Sequence, residues 1–167
     1  GTGNLTINTT AFNTISKTNT SRYATFLNNL IMVDGVTKPI KWSGVNGYLG
    51  YIGLPRPSAP TATVSTTKPS PLNDVVNYRI TYVNHLGEST AGDMSSNVAT
   101  NYSQVDLTAI PCAPAQYDVV ARRIYRGTVS TYGNWYLVDT LYDNTTTTWS
   151  DKWGADKAGA SAPINEE

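Results

Sequence analysis

The clearest pattern in the chain is the alternation between Val76 and Tyr82. Val76, Tyr78, Ile80 and Tyr82 are apolar or aromatic, and the residues between them are polar. A period of two places the apolar side chains on one face of a β-strand, whereas a helix needs a period of 3.6. No window of eleven residues shows a sustained helical stripe. The pattern therefore predicts an all-β protein.

Composition supports this expectation and excludes several classes of protein. Thr (24), Asn (15) and Ser (13) fill 52 of the 167 positions, and such short polar side chains disfavour helix interiors. The 12 basic and 12 acidic residues give a net charge of zero, which argues against a nucleic-acid partner. The longest aliphatic run, residues 30–33, is far shorter than the roughly 20 residues that span a bilayer. We therefore expect no nucleic acid and no membrane among the partners.

Changes in composition along the chain predict five segments. The first is rich in Thr, Asn and Ser and has only isolated apolar residues, and the third contains three prolines between residues 55 and 60. Proline-rich stretches form stiff spacers, and strands recurring every 8 to 12 residues are typical of β-sandwiches. The predicted segments are an extended arm (1–22), a small three-stranded β-meander (23–52), a Pro-rich linker with a first strand (53–72), a β-sandwich domain (73–153) and a flexible tail (154–167).

Two groups of residues resemble fibronectin type III domains. Residues 78–84, followed by Gly87-Glu88-Ser89, resemble the last hairpin of that family. Residues 123–126, 136–138 and 147–151 resemble its middle strands. The segment that resembles the family's last hairpin precedes, in this chain, the segments that resemble its middle strands. The resemblance therefore implies a fibronectin type III or Ig-like β-sandwich with a permuted strand order.

The wider arrangement resembles segments of bacteriophage tail and neck proteins. In those proteins a propeller-like hairpin, similar to residues 26–35, and a linker similar to residues 53–57 precede such a domain. The resemblance implies a non-enzymatic structural component of the virion. It would assemble through its N-terminal region with other virion proteins and with copies of itself, in a homo-oligomeric ring.

Residues with catalytic or metal-binding chemistry are few. His85 lies beside a predicted turn without a nucleophile motif, and Cys112 lacks a second cysteine. Asp139, Asp143 and Asp151 could offer oxygens to Ca²⁺, but turn formation and pairing with arginine fit their spacing better. We therefore expect no enzymatic activity, no cofactor and no metal.

Two sets of candidate contact residues follow from these expectations. Tryptophan side chains could stack on a host-surface glycan, and the candidates are Trp135, Trp149 and Trp153. Apolar residues of the N-terminal region could dock on neighbouring subunits, and the candidates are Leu5, Ile7, Phe12 and Trp42. Two alternatives to the tail or neck protein stay open: a carbohydrate-binding or adhesion module, and a capsid decoration protein.

Overall fold

The computed structural model describes residues 20–42, 49–128, 134–154 and 159. Within these ranges the chain forms twelve β-strands and one short 3₁₀ helix, Ala115–Tyr117. The prediction of an all-β protein is confirmed. No helix of the described ranges is long and apolar enough to cross a membrane. The fold divides into two compact units, the first containing residues 1–53 and 114–118, the second residues 54–113 and 119–167.

The first unit contains a four-stranded antiparallel sheet rather than the predicted three-stranded meander. Its strands, in both chain and spatial order, are β1 (Arg22–Phe26), β2 (Asn29–Val33), β3 (Ile40–Trp42) and β4 (Leu49–Tyr51). The sequence analysis missed β4 because a three-residue strand containing Gly50 carries almost no alternation to detect. The ring of Tyr117 packs against Tyr51 with centroids 5.4 Å apart.

β2 and β3 are joined by a connection that runs from Asp34 to Pro39. Oδ1 of Asp34 accepts hydrogen bonds from the backbone N–H groups of Val36 and Thr37 and from the Thr37 hydroxyl. This Asx-type arrangement satisfies the backbone locally. Gly35 adopts a φ of 75°, which a residue without a side chain accepts readily.

The second unit consists of two antiparallel sheets. The larger sheet has the order β11-β10-β6-β7, with β8 also paired to β6, and the smaller has the order β12-β9-β5. The strands are β5 (Thr61–Pro69), β6 (Val75–Asn84), β7 (Gly87–Glu88), β8 (Val98–Ala99), β9 (Ser103–Thr108), β10 (Ala121–Thr128), β11 (Trp135–Leu141) and β12 (Trp149–Asp151).

One hydrophobic core lies between these two sheets. It includes Ile80, Leu107, Ile124 and Val138, one from each of β6, β9, β10 and β11. Side chains from both sheets contribute, and Leu107 and Ile124 are fully buried. The arrangement is consistent with a β-sandwich.

Short local structures precede β10 and β12. Residues 115–117 form the 3₁₀ helix just before β10, which begins at Ala121. β12 begins at Trp149. Asp143 holds the segment before it in a turn by accepting hydrogen bonds from Thr145 and Thr146.

Candidate assembly surface

The β1–β2 hairpin is built around a two-residue turn. Leu27 and Asn28 have φ angles of 46° and 59°, the positive values that two-residue hairpins need. The Asn29 side chain donates to the carbonyl oxygen of Leu27 at 2.9 Å. Asparagine accepts positive φ easily whereas leucine does not, so the turn conformation is less favourable at Leu27 than at Asn28.

This hairpin exposes large apolar side chains. All five residues of β1 are exposed, and the exposed fractions of Tyr23, Phe26 and Leu27 are 63%, 63% and 70%. Among the strands that the structure describes, only β2 pairs with β1, which is therefore an outer strand of the described sheet. We call Tyr23, Phe26, Leu27 and the β1 backbone the hairpin surface. The apolar side chains of the hairpin surface flank the N–H and C=O groups of β1, and another chain could pair with these groups.

Trp42 lies beside an open cleft next to the hairpin surface. The pairing of Thr25 with Leu30, and of Leu30 with Trp42, places these three side chains on one face of the sheet. They line the cleft together with residues 26–29. The indole Nε1 of Trp42 is buried and has no hydrogen-bond partner among the residues that the structure describes. The structure thus places Trp42 in the cleft beside the hairpin surface, whereas Leu5, Ile7 and Phe12 lie outside the described residues.

The three candidate glycan-contact tryptophans are each engaged separately. Trp135 packs against the guanidinium of Arg79, 4.6 Å from its ring centroid. Nε1 of Trp149 donates to Oδ2 of Asp139 at 2.7 Å, and its ring meets Tyr78 edge-on. Trp153 is the most exposed of the three, with 39% of its surface accessible, and Lys152 lies over its ring. No ring contact joins one of these tryptophans to another within the described part of the chain.

The three aspartates considered as calcium ligands have structural partners instead. Asp143 forms an ion pair with the buried guanidinium of Arg122 at 2.7 Å. Asp151 is fully buried and pairs with Arg126 at 2.8 Å. The expectation of turn formation and arginine pairing is confirmed for Asp143, and arginine pairing for Asp151. No group of three or more potential metal ligands occurs in the described ranges.

A buried polar network joins the two sheets of the second unit. Oδ2 of Asp151 on β12 accepts hydrogen bonds from the Tyr78 hydroxyl and from Nη1 of Arg126. Nη2 of Arg126 donates to the carbonyl oxygen of Gly154 at 2.7 Å. Burial, followed by the charge of Asp151, raises the pKa of Tyr78. Tyr78 therefore stays protonated and serves as a donor across the core.

A second network lies on the outer face of the larger sheet. The carboxylate of Glu88 accepts hydrogen bonds from Thr81, Arg123 and Tyr125. Burial and the bond to Glu88 raise the pKa of Tyr125 to about 12. The sequence analysis missed both networks. One available signal was that Arg122 and Arg126 share a strand face with the core residue Ile124, which implies that both arginines are buried and paired.

His85 and Cys112 show no catalytic arrangement. His85 is exposed at the turn between β6 and β7, as expected for a solvated turn residue. Cys112 is exposed, since the chain between Pro111 and Pro114 has left the sheet. Its sulfur accepts a hydrogen bond from Arg122 at 3.4 Å.

Comparisons with protein families, with curated proteins and with solved structures return no match for this chain.

Proposed function

We propose that this chain is a non-enzymatic structural component of a bacteriophage particle, of the tail or neck, that assembles through its N-terminal region. The observation that carries the assembly role is the hairpin surface. Tyr23, Phe26 and Leu27 are each more than three-fifths exposed. Tyr23 and Phe26 lie on opposite faces of β1, so exposed aromatic side chains flank this strand on both sides.

The sheet edge at β1 gives the proposed contact its chemistry. Natural proteins protect outer strands with lysines, prolines or bulges. β1 carries one charge, Arg22, and no proline, and its pairing with β2 is regular over all five residues. A strand from a neighbouring subunit could add to this edge through backbone hydrogen bonds, while the aromatic side chains supply specificity.

The strand pairing in the second unit supports the finer proposal of a fibronectin type III-like sandwich. In Ig-like sandwiches the last hairpin lies beside the third strand, and the second and fifth strands pair in the other sheet. In the larger sheet the hairpin of β10 and β11 lies beside β6, and in the smaller sheet β5 pairs with β9. This pairing follows the family's ordinary chain order, so it does not require the permutation that the resemblance implied.

The two alternatives receive different degrees of support. A capsid decoration protein would use the same hairpin surface and differs only in its place on the particle. A glycan-binding module that uses a tryptophan platform has less support because the indoles of Trp135 and Trp149 already have protein partners.

The test is incorporation of a charged hairpin variant into particles. We expect Tyr23→Lys with Phe26→Lys to lower incorporation at least about tenfold, because lysine ammonium groups resist burial in an interface. Quantitative mass spectrometry of purified particles measures the effect. Tyr142→Lys is the matched control, since Tyr142 lies in the second unit and is 86% exposed.

Circular dichroism of each purified variant checks that the fold is intact. Incorporation of the double variant at the level of the unsubstituted chain would contradict the role of the hairpin surface. Absence of the unsubstituted chain from particles would contradict the virion proposal itself.

A further inference from the structure

Arg79 occupies an unusual position in the second unit. Val76, Tyr78, Ile80 and Tyr82 of β6 face the core, and the alternation along a strand places Arg79 on the opposite, outer face. Its guanidinium lies 4.6 Å from the ring centroid of Trp135 on β11. The aromatic ring holds the cation in one place and stabilises its charge through a cation–π interaction.

Arg79 differs from the other arginines described in this unit because it has no carboxylate partner there. The paired arginines and their partners are Arg56–Asp93, Arg122–Asp143, Arg123–Glu88 and Arg126–Asp151. The Nε of Arg79 is buried without an acceptor. No hydrogen bond or ion pair joins its guanidinium to any other residue that the structure describes. A held guanidinium of this kind can offer a planar fork to an added carboxylate.

The charges around Arg79 favour an added anion. Burial and the charge of Arg56 lower the pKa of Arg79, and Asp93 partly offsets them. Asp93 already pairs with Arg56 at 3.0 Å, and both side chains are more than half exposed. The three residues together carry one excess positive charge, so a carboxylate would restore neutrality.

An amide side chain, that of Asn77, lies on the same face of β6 as Arg79. Asn77 is two residues away and only 8% exposed, and its Oδ1 has no hydrogen-bond partner in the described part of the chain. Its Nδ2 donates to Oδ1 of Asn97 at 2.6 Å and also contacts the sulfur of Met94. Asn97 and Met94 are exposed. Neutral amides beside a cation are suited to a ligand that carries hydroxyl groups as well as a charge.

We propose that Arg79, with Arg56, Asn97 and the edge of Trp135, forms a binding site for an acidic sugar, whose carboxylate pairs with the Arg79 guanidinium. β6 lies inside its sheet, between β10 and β7, so its backbone is already paired and cannot receive an added peptide strand. The recognition groups are therefore side chains, a cation and amides, which suit a carboxylated sugar better than an extended acidic peptide.

The test is titration of the full chain with methyl glucuronide, followed by NMR of the tryptophan indole N–H signals. We expect saturable binding and a shift of the Trp135 signal. Methyl glucoside, which lacks the carboxylate, should bind at least about tenfold more weakly because the charge-assisted hydrogen bonds are lost. Equal binding of the neutral and acidic sugars would overturn the proposal.

Variants separate the site from general charge effects. Arg79→Gln should weaken glucuronide binding at least about tenfold, and Arg56→Gln should weaken it less. Arg22→Gln, which removes an exposed arginine of the first unit, is the matched control and should leave binding unchanged. Tighter binding of a glutamate-rich peptide or of acetate than of glucuronide would reject the sugar as the ligand. No saturable binding of glucuronide would reject the site.

Discussion

Two arginines lie at opposite ends of the inner face of β10. Arg122 is fully buried and donates to Asp143 and to the carbonyl oxygen of Pro111. Arg126 is 3% exposed and donates to Asp151 and to Gly154. A buried cation without a partner is very costly, so each arginine determines where its carboxylate-bearing segment must lie. The arginines thereby fix the course of the chain around the core.

Asp143 makes the free energy of unfolding depend on pH in the acid range. Hydrogen bonds from Thr146, then Thr145, and the bond from Arg122 lower the pKa of Asp143 in the folded state from its ordinary value of 3.8. As the pH falls below about 4, the unfolded chain takes up this proton before the folded chain does, so the free energy of unfolding falls. The contribution of Asp143 is therefore present above that pH and is lost in stronger acid.

We expect Asp143→Asn to reduce the loss of unfolding free energy between about pH 5 and about pH 2. Urea unfolding at each pH, followed by tryptophan fluorescence, measures the slope. Asp118→Asn is the control, since Asp118 lies outside this network and asparagine accepts its φ of 52°. A slope in Asp143→Asn equal to that of the unsubstituted chain would show that this carboxylate does not couple to folding.

At the scale of single elements, β10 and β11 depend on a close approach at Gly127. Gly127 pairs with Trp135 on one side and with Asn77 on the other. A Cβ at this position would lie 2.7 Å from Oδ1 of Asn77 and 3.1 Å from the Trp135 ring. Because Gly127 has no side chain, the Trp135 indole can lie over β10 at this position. From there the indole reaches the guanidinium of Arg79.

Gly127→Ala should destabilise the protein by about 1–3 kcal/mol, the usual cost of overpacking. In a Trp135→Ala background the same substitution should cost less, because the ring that it meets has gone. Urea unfolding of the four proteins gives the coupling energy, which we expect to exceed about 0.5 kcal/mol. Additive effects of the two substitutions would mean that the Trp135 ring does not lie against Gly127.

The elements themselves were largely predictable, whereas their polar partners were not. The alternation from Val76 to Tyr82 correctly predicted β6 and its buried face, because burial of one face imposes a period of two. The ion pair between Arg126 and Asp151 joins residues on different sheets, and no local pattern encodes such a pairing. The register shift between Ile124 and Tyr125 on β10 could not be predicted either, since a bulge does not change the residue composition of a strand in a recognisable way.

At the scale of the whole molecule, the two units differ in how much apolar surface they bury. The cluster between the sheets of the second unit has nine buried residues. In the described part of the first unit, Ile40 and Tyr117 are the only buried hydrophobic residues. Tyr117 comes from residues 114–118, far along the chain from the sheet that it packs against. The first unit therefore depends on a segment that the N-terminal residues do not contain.

We expect residues 55–153 to fold alone and residues 1–50 to remain unfolded. The longer fragment keeps the nine-residue core and both arginine–aspartate pairs of β10. The shorter fragment loses Tyr117 and its partner Tyr51, the last residue of β4, and sheets with so little buried surface are marginal in water. Two-dimensional NMR spectra of the separate fragments measure this directly. Dispersed amide signals from residues 1–50, or collapsed signals from residues 55–153, would contradict the expectation, because either result would place the stabilising contacts outside the core between the two sheets.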